Sequence, residues 1–210
     1  MEVLEGRVDA GRRLAALLEH VRLDRPTVLG IPRGGVPVAA QIASALHAPL
    51  DVLVVRKLGV PGHAEFGFGA IGEDGARVLD GDVVARLSLD QATIEQVAER
   101  ERAELERRVA LYRPDQPALD LSGRTAVIVD DGVAMGGTML AAIDVARALG
   151  APRIVVAVGV APHDAVSRLR RAADEVVVAL SPRVFSAVGQ WYRDFSQVPD
   201  DEVVRLLVGA

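Results

Sequence analysis

The stretch VIVDDGVAMGGTM, residues 127–139, decides the fold and points to the site. It joins an apolar, β-branched run to two adjacent carboxylates, Asp130 and Asp131, and then to a loop of small residues and an apolar helical pattern. An apolar strand that leads into a helix is typical of a parallel sheet covered on both faces. Ligands of such sheets bind beyond the carboxyl ends of the strands, where both aspartates lie.

The rest of the chain repeats this alternation of strands and helices. Apolar strands are predicted at 27–31, 50–55, 76–80, 125–129, 154–160 and 175–180. Helices are predicted at 8–22, 36–46, 90–112, 138–149, 164–173 and 198–208. The pattern predicts an α/β fold with a mostly parallel sheet flanked by helices. Asp90 is a plausible cap of the long 90–112 helix, and Asp200 or Asp201 of the last helix. We interpret the long helix as an addition at the sheet edge, within a single domain over 1–210.

Composition excludes several classes of function. The chain has 210 residues, half of them apolar, which is enough for one sizeable core. A net charge of −5 and the lack of a helix-turn-helix or basic arm argue against a nucleic-acid partner. The absence of cysteine excludes a disulfide framework and a thiol nucleophile. With no signal-peptide pattern and no apolar run that spans a bilayer, we expect a cytoplasmic protein without a membrane partner.

The loop after the two aspartates has the polarity of a sugar-phosphate site. Gly132, Gly136 and Gly137 allow the backbone to turn and approach an anion. The helix that starts near Thr138 offers unpaired N–H groups and partial positive charge to a phosphate. A P-loop would need a lysine after Gly137, and no G-x-G-x-x-G motif follows a strand. The alternative is an ordinary strand-to-helix turn that happens to contain aspartates.

This stretch resembles the phosphoribosyl-pyrophosphate (PRPP) motif of type I phosphoribosyltransferases, and so implies their fold. By resemblance, Asp130 and Asp131 hold the ribose hydroxyls, and the backbone of 134–138 cradles the 5-phosphate. The full set of implied PRPP-binding residues is Asp130, Asp131, Gly132, Val133, Ala134, Met135, Gly136, Gly137 and Thr138. Two positions depart from the pattern. Ala134 stands where some members carry another aspartate, and Met135 replaces a threonine that often touches the phosphate.

Two more strand ends carry cations. Arg33-Gly34-Gly35 follows the strand at 27–31, and a glycine pair beside an arginine can form an anion nest. In the resembled family this is the position of the pyrophosphate-binding loop. Arg56-Lys57 ends the 50–55 strand and is predicted to meet the same group. An ordinary turn and a solvated cation pair are the alternatives. The resemblance then implies four catalytic residues: Arg33, Lys57, Asp130 and Asp131.

A glycine-rich segment at 59–75 is interpreted as a loop that can include a short hairpin. The order IPRGGVPVA, RKLGVPGHAEFGFGAI, VDDGVAMGGTM, VFSAVGQWYRDF covers most of the chain and resembles a phosphoribosyltransferase-like subgroup. By that resemblance, the segment with His63 and Glu65 is the candidate lid that closes over PRPP and excludes water.

Aromatic residues cluster late in the chain. Four of the seven fall within FSAVGQWYRDF, namely Phe185, Trp191, Tyr192 and Phe195. Aromatic faces can stack a planar base, and in the resembled family a variable hood selects the acceptor. We therefore predict a core over about 8–180, a C-terminal hood over 181–210, and acceptor contacts from Phe185, Trp191 and Tyr192. The alternative is a satellite core that fixes the last helix.

The resemblance implies a reaction. It transfers the 5-phosphoribosyl group from PRPP to a nitrogen of a base or base-like acceptor and releases pyrophosphate, as in nucleotide salvage. Mg²⁺ is the implied cofactor, held mainly by substrate oxygens and waters, with Asp130 and Asp131 as the nearby protein groups. Members of this fold often form dimers, so a homodimer is one expectation. A PRPP-binding regulatory protein without turnover is the alternative.

Overall fold

The computed structural model describes residues 2–114 and 116–209, apart from the side chains of residues 22, 23 and 64–66. The described strands are β1 (Pro26–Gly30), β2 (Leu50–Val52), β3 (Arg56–Val60), β4 (His63–Ile71), β5 (Arg77–Leu79), β6 (Thr125–Gly132), β7 (Arg153–Val160) and β8 (Glu175–Leu180). The described α-helices are α1 (Arg7–Leu17), α2 (Gly35–Leu46), α3 (Gly81–Arg86), α4 (Gln91–Tyr112), α5 (Gly137–Ala148), α6 (His163–Ala172) and α7 (Asp200–Val208). Short 3₁₀ helices cover Glu19–Leu23 and Val188–Trp191.

The main sheet has five parallel strands in the order β2-β1-β6-β7-β8. Gly30 at the end of β1 lies opposite Val129 in β6. The loops that leave these two strands therefore start side by side, at the carboxyl edge where open α/β sheets bind ligands. The predicted α/β fold, with a mostly parallel sheet flanked by helices, is confirmed.

Both faces of the sheet are buried against helices. Successive side chains along each strand point to opposite faces, so β6 and β7 each contribute to the cores on both faces. On one face, Ile128 and Val156 pack in a core with Met139 of α5. On the other face, Val127 and Val155 pack in a second core with α1 and α2. These two layers fix the direction in which the loop after β6 leaves the sheet.

The glycine-rich segment is a small antiparallel sheet, β3-β4-β5, rather than a loop. The hairpin expected within it is confirmed and is longer than predicted. Glycine is needed here for close strand pairing, since a Cβ at Gly69 would lie 2.4 Å from the Val78 carbonyl oxygen. The prediction that Arg56 and Lys57 end a strand at 50–55 is wrong: β2 stops at Val52, and the two cations begin β3. The side chain of Glu65 lies outside the described residues.

The long helix α4 is confirmed within one residue of the predicted limits. Asp90 caps it, because its carboxylate accepts a hydrogen bond of 2.8 Å from the Thr93 N–H. The helix packs through Ile94 and Ala98 on the small sheet, and at its other end the Tyr112 hydroxyl donates to Asp200. The cap prediction for α7 is corrected, since Asp200 starts the helix after Pro199 and no side chain caps it. Over the described chain, none of the helices has both the length and the apolar character needed to cross a membrane.

Candidate active site

Two motifs predicted independently touch at the carboxyl edge of the sheet. A Cβ added to Gly34 would lie 2.0 Å from Asp131 Oδ2. A Cβ added to Gly35 would lie 2.4 Å from the Val129 carbonyl oxygen. Gly34 has ordinary helical backbone angles, φ −61° and ψ −32°, so it is the lack of a side chain that permits this contact. The turn after β1 is therefore packed directly on the aspartate pair. Within this turn, the Pro32–Arg33 peptide bond is cis.

Asp131 is hydrogen-bonded to one residue near the start of the described chain and to another near its end. Its side chain is buried, and Arg7 Nε donates to its Oδ2 at 2.8 Å. Its carbonyl accepts a 2.5 Å hydrogen bond from the buried Tyr192 hydroxyl. The same Arg7 guanidinium lies 4.3 Å from the centre of the Phe195 ring. One arginine and one tyrosine thus fix the side chain and the backbone of Asp131, and neither was predicted for this role.

Asp130 has a different environment from its neighbour. It is partly exposed, and its Oδ1 accepts a hydrogen bond of 2.9 Å from the Asp131 N–H. Burial and then the negative charge of Asp131 raise the pKa of the Asp130 carboxyl above its usual value. An arriving cation, or hydroxyl groups that donate hydrogen bonds, would therefore stabilise the ionised pair.

The loop pocket is a cavity of about 380 Å³ at this edge. Its described lining residues are Lys57, Asp130, Gly132, Val133, Ala134, Met135, Gly136, Gly137, Thr138 and Met139. It brings together the residues predicted to bind PRPP, with Asp131 as the exception. Gly136 directly precedes α5 and has φ +89°, a conformation that favours glycine. With this turn, the N-terminus of α5 lies at the cavity.

Two hydrogen bonds hold the backbone of the loop to β7 and α6. The Val133 N–H donates to the Val160 carbonyl at 2.9 Å. Arg168 of α6 donates from Nη2 to the Met135 carbonyl at 3.1 Å. The Met135 side chain itself is 78 % exposed, so it neither fills the core nor supplies a polar donor to the cavity. Arg168 is a positioning residue that the sequence did not reveal.

A second cavity of about 410 Å³, the α4 pocket, adjoins the loop pocket. Its described lining residues are Ile31, Pro32, Leu53, Val54, Val55, Arg56, Lys57, Gly59, Arg100, Glu101, Arg108 and Thr138. Lys57 lines both cavities, and Arg56 lines the α4 pocket. Their predicted contact with pyrophosphate stays a prediction. Arg56 binds Glu101 of α4 through two hydrogen bonds, of 3.0 and 2.6 Å. Arg33 is partly exposed and is absent from the described linings of both cavities.

The late aromatic cluster packs on the aspartate pair from the other side. Tyr192 is buried, and its ring centre lies 5.0 Å from that of Phe195. Phe185 and Trp191 are partly buried against the same core. The predicted acceptor contact of Tyr192 does not agree with this placement, because its ring has no free face and its hydroxyl is used by Asp131. For this residue, the alternative of a satellite core is the better description.

Over the part of the chain that the structure describes, no group of three or more His, Cys, Asp or Glu side chains is arranged to hold a metal ion. Asp130 is the carboxylate that lines the loop pocket. A magnesium ion there would take Asp130 as an oxygen ligand and the rest of its ligands from substrate and water, which suits its preference for oxygen and its retention of waters.

Comparison with known proteins gives three findings. Residues 4–201 match the family model described as phosphoribosyl transferase domain. The chain is 53% identical over 207 residues to the Mycobacterium tuberculosis protein named "Putative phosphoribosyl transferase Rv0571c", covering 99% of this chain and 47% of that protein. The chain thus spans about half the length of that relative. The crystal structure of TT1426 from Thermus thermophilus is 44% identical, with a TM-score of 0.92, and the match covers 100% of this chain and 99% of that one.

Proposed function

Because the chain belongs to the phosphoribosyl transferase domain family and has the type I fold, we propose that it transfers the 5-phosphoribosyl group from PRPP to a nitrogen of a base or base-like acceptor. Pyrophosphate is the other product. The observation that carries this proposal is the packing of the Gly34 turn on Asp131 beside the loop pocket. This packing supports a sugar-hydroxyl site and a phosphate site in one cavity.

The loop pocket supports a definite orientation of the donor. The ribose hydroxyls donate to Asp130, and the 5-phosphate accepts from backbone N–H groups at the start of α5. Asp131 acts mainly through its position, since Arg7 already occupies its Oδ2. Catalysis then includes holding the ribose in one geometry while its C1–O bond breaks.

Charge at the leaving group is the second requirement. As the C1–O bond breaks, the ribose gains oxocarbenium character and the pyrophosphate gains negative charge. Lys57 lines both cavities, so it can face the bond between the two halves of the donor. Arg56 lines the adjoining cavity and is assigned to the same group. Arg33 stays a prediction for that group, since it lies in the turn packed on Asp131 but outside both described linings. The acceptor nitrogen forms the new bond to C1, and its proton passes to the departing pyrophosphate or to water.

Magnesium is the proposed cofactor, as is general for this family with PRPP. When bound, it would neutralise part of the diphosphate charge. This chain's contribution is the Asp130 carboxylate, whose raised pKa reflects a site where an added cation stabilises the ionised form.

A PRPP-binding protein without turnover is the second candidate. The observation that favours it is Met135, which projects outward from the loop at the position where the family often has a threonine. Turnover with a panel of purine, pyrimidine and other nitrogen heterocycles separates the two candidates, because only the transferase releases pyrophosphate.

The direct test of the proposal is ligand-dependent thermal stability. PRPP at about a hundredfold over its Kd adds roughly 2.7 kcal/mol, which is a shift of several degrees for a chain of this size. We expect a Mg²⁺-dependent shift with PRPP that exceeds the shift with ribose 5-phosphate. We expect no PRPP shift in the Asp130→Asn/Asp131→Asn variant, with circular dichroism as the control for folding. An unchanged PRPP shift in that variant would show that the loop is wrongly assigned.

A further inference from the structure

The α4 pocket continues directly from the loop pocket. The two cavities share Lys57 and Thr138. A ligand seated with its sugar and 5-phosphate in the loop pocket therefore has an open space of about 410 Å³ beside it. Part of the lining comes from Arg100, Glu101 and Arg108 of α4. From the sequence, we interpret this helix as an addition at the sheet edge.

The described lining of this second cavity is rich in cations. Among its described lining residues are four cationic side chains, Arg56, Lys57, Arg100 and Arg108, and a single carboxylate, Glu101. Apolar residues such as Leu53 form the floor. Cations that converge on a partly enclosed, apolar cavity attract anions more strongly than the same charges in open water.

Each of the two α4 arginines in the lining shares its described carboxylate partner with a second arginine. Arg100 is 70 % exposed and contacts Glu101 at 3.2 Å. Arg108 contacts Glu104 at 2.7 Å, but Glu104 also binds Arg107 at 2.8 Å. Ion pairs that keep contact with solvent contribute little net stability. An arriving polyanion can therefore recruit both arginines at small cost.

Glu101 lies at the centre of the cationic group. Its Oε2 accepts the two hydrogen bonds from Arg56, and its Oε1 faces Arg100. Its side chain is 14 % exposed, so it is the more buried member of these pairs. It thus occupies the place that an anionic oxygen would take between the two arginines.

We propose that Arg100 and Arg108 of α4, together with Arg56 and Lys57, bind the diphosphate group of the donor, and that Glu101 is the internal counter-ion which this group displaces. The inference rests on the proposed function for the identity of the donor. It assigns to α4 a substrate-binding role. Arg100 and Arg108 lie about 12 Å apart along the helix axis, and both line the α4 pocket.

The test is the binding of inorganic pyrophosphate, PRPP and ribose 5-phosphate, measured by calorimetry on matched variants. Arg108→Gln is compared with Arg107→Gln, because both arginines bind Glu104 and only Arg108 lines the pocket. Arg100→Gln is compared with Arg102→Gln, which lies on α4 outside this pocket. Loss of a charge-assisted hydrogen bond predicts about a tenfold or greater loss of affinity. We expect it for pyrophosphate and PRPP in the two pocket variants, and for no ligand in the two controls.

Ribose 5-phosphate separates this inference from a general loss of charge, since it lacks the diphosphate group. Its affinity is expected to stay the same in every variant. Equal loss of all three ligands, or equal loss in Arg108→Gln and Arg107→Gln, would overturn the inference. Glu101→Gln is expected to tighten pyrophosphate binding severalfold, and weaker binding would overturn its role as a counter-ion.

The inference and the proposed function fail differently. If PRPP stabilises the wild type but both pocket variants bind pyrophosphate normally, α4 has no such role and the proposed function stands. If pyrophosphate binds in an Arg108-dependent manner and PRPP does not bind, the proposed function is wrong and the diphosphate pocket stands. Circular dichroism and unliganded melting temperatures confirm that each variant is folded.

Discussion

Replacing Gly34 with alanine tests whether the two motifs of the site are packed as described. Alanine adopts the helical backbone of Gly34 without strain, so the change adds only a methyl group. That carbon would lie 2.0 Å from Asp131 Oδ2 and 2.6 Å from its Cγ, far inside normal contact distance. Asp131 cannot simply rotate away, because Arg7 holds the same oxygen at 2.8 Å. Either the turn or the ion pair has to shift.

The expected cost is that of overpacking a well-filled site, about 1–3 kcal/mol. For a domain of this size, that lowers the melting temperature by roughly 3–10 °C. Thermal and urea unfolding followed by circular dichroism measure it. Gly81→Ala is the matched control, since a Cβ there meets nothing within 4 Å and its φ lies outside the left-handed region. That variant is expected to melt at or slightly above the wild-type temperature.

A double-mutant cycle identifies the contact itself. Asp131→Ala alone is destabilising, because it leaves the Arg7 guanidinium without its carboxylate. In the Gly34→Ala/Asp131→Ala variant, the atoms that clash with the new methyl group are gone. The double variant should therefore be more stable than the sum of the single changes by about 1 kcal/mol or more. Additive changes, or a Gly34→Ala variant that melts like Gly81→Ala, would refute this packing.

Two further changes probe the aspartate pair. Tyr192→Phe removes the donor to the Asp131 carbonyl and should cost about 1–3 kcal/mol in urea unfolding and weaken PRPP binding. Tyr112→Phe removes a hydroxyl that donates to Asp200 and lies outside the described lining of the loop pocket, so it should leave PRPP binding unchanged. Equal PRPP affinity in both variants would contradict the positioning role. Asp130→Asn should raise the melting temperature at pH 7. Because the pKa of Asp130 is raised in the folded chain, ionising this carboxyl costs stability once the pH exceeds its ordinary pKa in the unfolded chain. This gain in melting temperature should disappear below about pH 4, as the carboxyl becomes protonated in both the folded and the unfolded chain. A gain in melting temperature that persists at pH 3 would exclude this cause.

The parts of the fold and site that could be predicted carry their signals locally. The apolar run before Asp130 and the glycines before α5 lie within one short segment, and the structure places them on a strand, a loop and a helix as expected. Asp90 was predicted as a cap for the same reason, since a cap acts within three residues.

The small sheet shows where local signals mislead. Glycine in a sequence favours turns, yet Gly69 lies in β4 where a neighbouring strand leaves no room for a side chain. A glycine can be needed for the backbone conformation of a turn or for the close approach of a neighbouring strand. Which of the two applies depends on the residues that lie opposite it in the tertiary structure.

The positioning residues could not be predicted, because their partners are distant in sequence. Arg7 binds a carboxylate 124 positions later, and Tyr192 binds a carbonyl 61 positions earlier. The spacing of Glu104 and Arg108 in the sequence is one at which helical residues can pair, and they do pair in α4. It does not indicate that this face of the helix borders a cavity, since that depends on how α4 packs on the small sheet.

The hydrogen bond from Tyr192 to the Asp131 carbonyl also determines at what point of protein synthesis the site is completed. Ribosomes add about 5–20 residues per second, and N-terminal elements fold first. The 61 positions between the two residues therefore correspond to a delay of several seconds. During that interval β6 can join the sheet with Arg7 in place, while its aspartate carbonyl still lacks the tyrosine that fixes it. A nascent chain stalled before Tyr192 is thus expected to hold the sheet and to bind the donor poorly, so that donor binding begins only after the late aromatic segment has been made.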